Sequence, residues 1–190
     1  MRFRIDWPTL NLHALEPTLA EVGTHAPTLA AAWNDPHNAR LMGHGEGFDA
    51  EDVVEHYRAI RAEGGHGFLL FEGGLLAGDA DFRGVSKGAA EFAFMVAAPS
   101  AQGKGLGTRF ALMLHRYAFT QLGLERSYAS IDPTNAGSRR VFEKLGFGVD
   151  ASPAARAFAD EPHDVVMSVS RATFEQRHVS VFAELAIVRR

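Results

Sequence analysis

The sequence predicts an α/β (α+β) domain in which a mixed central sheet carries helices on both faces. Three observations point there. Strand-like runs at 66–71, 75–82 and 91–97 follow one another with only turns between them, which reads as an antiparallel meander. After residue 97, helix-like and strand-like runs alternate, which requires crossovers. The switch between the two regimes is a glycine-rich turn, Gln102-Gly103-Lys104-Gly105-Leu106-Gly107.

Taken in order, residues 9–15 alternate apolar and polar and predict a first strand. His25 to Trp33 predicts a short helix, stopped by Asn34-Asp35-Pro36. Residues 37–48 read as a Gly/His-rich loop, with His44 and Glu46 placed to border a pocket or simply to face solvent. Asp49 caps a helix to about Glu63, whose apolar stripe is Val53, Val54, Tyr57 and Ile60. Gly64-Gly65 breaks it, and Glu72-Gly73-Gly74 turns the hairpin that follows. The helix after the glycine turn carries Leu106, Phe110, Met113, Leu114, Tyr117 and Ala118 at helical spacing and ends at Gly123. A strand at 126–131, a cap-like turn Asp132-Pro133-Thr134-Asn135 and a helix at 136–145 closed by Gly146 come next. Final strands are expected at 147–149 and 164–170. The organisation is therefore one domain over 1–172 and a tail over 173–190, readable as helix, strand or a contact with a second copy of the chain. Leu112 and Phe119, off the main helical stripe, and the apolar tail 179–188 are the candidate homodimer surface.

Bulk composition narrows the function. The 190 residues suffice for one full core, and 46% hydrophobic with 22% charged is ordinary for a globular chain. A formal charge of -4 argues against a nucleic-acid partner recruited by bulk charge. Cysteine is absent, so there is no disulfide frame, thiolate metal site or Cys nucleophile. The first residues lack the apolar run of a signal peptide, and no run is long enough to span a membrane, so a cytoplasmic protein is expected. The nine histidines show no zinc-like helical spacing, and no metal is expected.

Glycines at a strand-to-helix turn leave backbone N–H groups bare, and at a helix N-terminus they make an anion site. The turn matches neither the G-x-G-x-x-G nor the P-loop spacing. Read with the strand before it, Glu91 to Gly107 resembles motif A of the GCN5-related N-acetyltransferases (the GNAT superfamily). Asn135-Ala136-Gly137-Ser138 with Val141-Phe142-Glu143-Lys144-Leu145-Gly146-Phe147, about thirty residues on, is similar to motif B of that family. Trp33-Asn34-Asp35-Pro36 and His163-Asp164 resemble elements of the branch that contains RimJ and RimL, the ribosomal-protein N-terminal acetyltransferases.

The resemblance implies a GNAT-like domain, acetyl-CoA as cofactor and a primary amine as acceptor, either a protein N-terminus or a small molecule. It implies that the N–H groups of Gly103, Lys104, Gly105, Leu106, Gly107 and Thr108, following Gln102, hold the pyrophosphate. Met95, Val96 and Ala97 would pair with the pantetheine arm, Asn135 would bond to it, and Phe142 would pack beside it. Glu91 is the candidate general base or a solvated strand-end glutamate. Ser138 is the candidate general acid or a serine bonded to its own helix, since Phe142 stands where many relatives place a tyrosine. A longer acyl-CoA and a non-catalytic acyl-CoA-binding module are the alternatives.

Overall fold

The computed structural model describes residues 2–42 and 47–190; the expectations for His44 and Glu46 fall outside them. The chain opens with β1 (Phe3–Trp7), a 3-10 turn (Pro8–Leu10) and β2 (Leu12–Leu15), followed by α1 (Leu19–Trp33), α2 (Pro36–Met42) and α3 (Ala50–Ala62). The meander is β3 (His66–Glu72), β4 (Leu75–Ser86) and β5 (Ala89–Val96). Then come α4 (Leu106–Thr120), β6 (Arg126–Ile131), α5 (Ala136–Leu145), β7 (Gly148–Val149), α6 (Pro153–Arg156), β8 (Val165–Ser170), α7 (Arg171–Phe182) and β9 (Ala186–Arg189).

All nine strands form one mixed sheet in the order β7-β8-β6-β5-β4-β3-β2-β1-β9. Among the described residues only the β5–β6 pair is parallel, and it is the join between the meander and the crossover half. On one face α1 and α3 cover β3–β5 through Val22, Leu29, Trp33, Val53 and Tyr57. On the other face α4 lies across the sheet and is buried almost all round, because α7 covers the side turned away from the strands. The sequence reading missed β1 and the start of α1. A capping box, Thr18 with Glu21, opens that helix six residues before His25.

The part of the predicted dimer surface that lies on α4 is corrected by the same packing. Leu112 and Phe119 are buried inside their own chain, and Phe119 meets Phe174 of α7 at 5.3 Å between ring centres. The tail forms α7 and then β9, which pairs antiparallel with β1. His115 sits at the centre of this aromatic core, against Phe92, Phe147 and Phe174. Its ring nitrogens bond to the Ala111 carbonyl at 2.7 Å and the Ser127 hydroxyl at 3.0 Å. Burial lowers the pKa of His115 to about 4, so the imidazole is neutral at pH 7.

Phe174 is fully buried and is the main anchor of the tail. Phe174→Ala should destabilise the protein by about 3–5 kcal/mol, as large-to-small changes of a buried aromatic do. Denaturant unfolding checks this; a loss below about 1 kcal/mol would mean that the tail is not part of the cooperative fold.

Candidate active site

Parallel pairing between β5 and β6 stops early. The register runs Ala89 with Arg126, Ala90 with Ser127 and Glu91 with Tyr128, and no pair follows. Beyond Glu91 the strands part, so the β6-facing edge of residues 92–96 has no strand partner. A cleft of about 630 Å³ opens there, walled by Phe94, Met95 and Val96 of β5, the glycine loop, α2 and the start of α5.

Two side-chain amides fix the end of β5. Asn38 of α2 is buried; its Nδ2 donates to Ala32 O at 2.9 Å and to Ala97 O at 3.1 Å. Gln102 Nε2 donates to Asn38 Oδ1 at 2.7 Å and to Val96 O at 3.0 Å. His37 Nε2 stands 3.2 Å from Gln102 Oε1 and completes the chain. The Ala97 N–H donates to Ala77 O at 2.8 Å, so both backbone polar groups of that residue are used within the chain. The expectation that Ala97 pairs with a pantetheine arm is corrected on that ground. Met95 and Val96 do line the cleft.

The three glycines of the loop serve different purposes. Gly103 and Gly105 sit at φ +75° and +84°, a region that side chains disfavour, and a Cβ on either would meet open space. Gly107 is needed for packing, since a Cβ there would lie 2.7 Å from the Phe94 ring. The first amide of α4 with a backbone partner is Arg109, whose N–H donates to Gly105 O. The N–H groups ahead of it form the positive end of a fifteen-residue helix that no side chain caps. Gln102, Gly103, Gly105, Gly107 and Thr108 all line the cleft.

Lys104 and Leu106 do not. Lys104 turns with Arg109 into a separate small hollow beside Glu72 and Ser100, and the Leu106 side chain is core. Phe142 is likewise corrected. It is 2% exposed and is enclosed by Phe92, Phe94 and Phe147, so Phe94 stands between it and the cleft. On α5 the cleft is lined instead by Ser138, Val141 and two basic residues one turn apart, Arg140 and Lys144. The sequence reading passed over that basic pair, although the spacing of 137, 141 and 144 places one helix face there. Asn135 caps α5 by accepting from Ser138 N–H at 2.9 Å, and its Nδ2 donates to Leu41 O at 3.1 Å. It therefore ties α2 and α5 together across the mouth of the cleft.

Comparison with known proteins gives the architecture a family. A family model described as an acetyltransferase (GNAT) domain matches residues 17–148, more than two thirds of the chain. The chain belongs to the GNAT family. The structure is similar to that of the aminoglycoside acetyltransferase AAC(6')-Ib in complex with coenzyme A, with a TM-score of 0.70 at 21% identity over 87% of this chain and 98% of that one. It is also similar to Mycobacterium smegmatis RimJ in complex with CoA-disulfide, with a TM-score of 0.68 at 17% identity over 97% and 94%. Among curated proteins, the Escherichia coli (strain K12) spermidine N(1)-acetyltransferase is 41% identical over 61 residues, 32% of each chain. The Homo sapiens alpha/beta-tubulin-N-acetyltransferase 9 is 46% identical over 57 residues, 30% of this chain and 28% of that one. These matches span about a third of the length of the curated relatives.

In this GNAT chain three buried acids, Asp79, Asp81 and Glu91, gather on the α1/α3 side of β4 and β5. Asp79, Asp81 and Arg83 stand at alternate positions on β4, opposite Met95, Ala93 and Glu91 respectively. Glu91 is buried and held by Arg83 through two hydrogen bonds, at 3.1 and 3.0 Å. Arg83 also reaches Asp160 at 3.0 Å. Burial raises the Glu91 pKa to about 7 against the pull of Arg83. Burial likewise raises Asp79 to about 7, with the nearby His56 pulling the other way. Glu91 lies outside the cleft lining, two residues along its strand from Ala93 and four from Met95.

These raised values carry a sign. A carboxyl whose folded pKa lies above its unfolded one favours the protonated fold, so its contribution to stability falls as pH rises from about 4 to about 7. Asp79→Asn should therefore raise the melting temperature at pH 8 and leave it nearly unchanged at pH 4. Equal shifts at the two pH values, read by calorimetry, would mean that Asp79 does not titrate in this range.

Proposed function

We propose that this protein transfers the acetyl group of acetyl-CoA directly to a primary amine, and that within the GNAT family it stands nearest the RimJ/RimL-like branch. One observation carries the reading: a strand parts from its parallel neighbour beside an uncapped helix N-terminus. The unpaired edge of β5 at Met95 and Val96 suits an extended pantetheine arm, which would add to the sheet as a further strand. The amides of Gly103 to Thr108 suit the pyrophosphate at the far end of that arm, and Arg140 and Lys144 add positive charge on the facing helix. Trp33-Asn34-Asp35-Pro36 supports the branch, since Asp35 caps α2 through the His37 and Asn38 amides and so places the clamp residue Asn38.

In this reading acetyl-CoA supplies the thioester, and the chain aligns it and manages the protons. Glu91 is the base. A carboxyl with a pKa near 7 matches the working pH better than an ordinary glutamate. Removing the proton from an ordinary alkyl ammonium at pH 7 costs about 4–5 kcal/mol, so a nearby carboxylate matters. Ser138 is the candidate donor to the departing sulfur, because it lines the cleft with no side-chain bond to its own helix among the hydrogen bonds of the structure. A thiol of ordinary pKa leaves unprotonated at a cost of only about 2 kcal/mol, so this step needs little help.

A second reading, an acyl-CoA-binding module without turnover, draws on the Arg83 lock on Glu91 and on Phe142 in place of a tyrosine. Thiol release from acetyl-CoA over a panel of amines separates the two: release supports the transferase, and CoA binding without release supports the module.

Thr108→Glu tests the cradle. A carboxylate in the first turn suits the helix, so the fold should hold, while CoA affinity should fall at least tenfold, about 1.4 kcal/mol. Unaltered affinity by calorimetry would show that the loop does not hold the pyrophosphate. Glu91→Gln should lower kcat by about a hundredfold or more at pH 8 and abolish the acidic limb near pH 7. A profile identical to the wild type would remove Glu91 from the chemistry.

A further inference from the structure

Among the described residues, one buried carboxylate oxygen on the α1/α3 side of the sheet, Asp81 Oδ1, has no hydrogen-bond partner. Asp81 is 8% exposed, and beside it the Trp33 indole, 5% exposed, turns its N–H to Asp79. A buried carboxylate oxygen left unbonded is costly, and such cases concentrate where a ligand completes the set. We propose that Asp79 and Asp81, flanked by Trp33 and His56, form the seat for the ammonium group of the acceptor amine. This rests on the acetyl-transfer reading of the cleft and names the side from which the amine enters.

Register places the seat. Asp79 stands opposite Met95, which lines the acyl cleft, and Asp81 stands opposite Ala93, one step along the same face. The pairs on either side of Asp81 are small: Ala93 on β5 and Gly67 on β3. Ala93 is only partly buried, so little side-chain bulk stands beside the Asp81 carboxylate on that strand. A Cβ on Gly67 would lie 2.9 Å from the Tyr57 ring, which is how that ring comes to pack along the seat. An amine on Asp81 would therefore approach the β5 backbone from the face opposite α4, with Glu91 one pair further along the strand.

The charges are unbalanced in the sense an ammonium requires. Asp79, Asp81, Glu91 and Asp160 face a single guanidinium, Arg83, together with His56. Arg83 is committed to Glu91 and Asp160 by hydrogen bonds, and it reaches Asp81 Oδ1 only at 3.8 Å. His56 Nε2 lies 3.9 Å from Asp81 Oδ2. Tyr57, the other titratable group of α3 packed here, donates its hydroxyl to Phe68 O and brings no charge. At pH 8, above the raised values of Asp79 and Glu91, the carboxylates thus exceed their cationic partners. An alkyl ammonium, with three donors and one positive charge, matches what is missing.

The test uses the full chain and two sources of ammonium: 1,4-diaminobutane and an amidated tetrapeptide with an N-terminal alanine. Melting of the protein at pH 8 is followed with each, without acetyl-CoA, so that failure of the acyl-CoA reading does not obscure the result. At least one source should raise the melting temperature of the wild type, and which one does so identifies the kind of acceptor. Asp81→Asn should abolish that rise while itself melting no lower than the wild type. In turnover, Asp81→Asn should raise the KM for the amine at least tenfold and leave the KM for acetyl-CoA within twofold, with Asp81→Glu recovering part of the loss. A wild type that neither amine stabilises, or an Asp81→Asn variant with an undiminished response, would overturn the seat. A wild type that binds amine but not CoA would instead sink the transferase reading.

Discussion

The working geometry depends on the clamp that Asn38 and Gln102 place on the last carbonyls of β5. A strand that has lost its neighbour would ordinarily fray or recruit another strand, because its bare N–H and C=O groups invite pairing. Here Val96 O and Ala97 O are bonded from outside the sheet, so β5 remains extended through the gap after β6 has turned away. The same two side chains tie α2 to the entrance of the glycine loop. Remove the clamp and three parts of the cleft lose their common reference: the strand edge, the loop and the helix above.

The two faces of β5 are then free to differ. Phe92 and Phe94 point toward α4 and belong to the aromatic core that holds Phe142 and His115. Glu91, Ala93 and Met95 point toward α1 and α3, where the buried acids gather. The close approach of the strands depends on Gly78, where a Cβ would lie 2.0 Å from Met95 O. That contact lets β4 press against β5 at the edge of the gap.

Much of this was legible in the sequence, and the losses have identifiable causes. Gln102 to Gly107 was readable because positive φ and close packing leave glycine few substitutes, and the meander was readable from its turns and alternation. Asn38 was not, since a single asparagine in a Gly/His-rich stretch gives no sign of bonding a carbonyl 59 residues away. Phe142 was assigned to the cleft by its place in a motif, but Phe94 from β5 packs against it and lines the cleft instead. Leu112 and Phe119 looked like surface because α7, which covers α4, has too weak an apolar pattern to announce itself. The acids at 79, 81 and 91 alternate as a solvated strand face would; only the helices above them make them buried.

The clamp is made of amides. Asn34 holds the Gly47 and Phe48 backbone, Asn38 and Gln102 hold β5, and Asn135 joins α5 to α2. None of these side chains gains or loses a proton in the range where proteins work. Asp79 and Glu91, whose pKa values burial raises to about 7, lie on the far side of the strand and outside the cleft lining. These two carboxyls are thereby kept apart from the amides of the clamp, and their charge can switch without a change in the bonds that Asn38 and Gln102 make to β5.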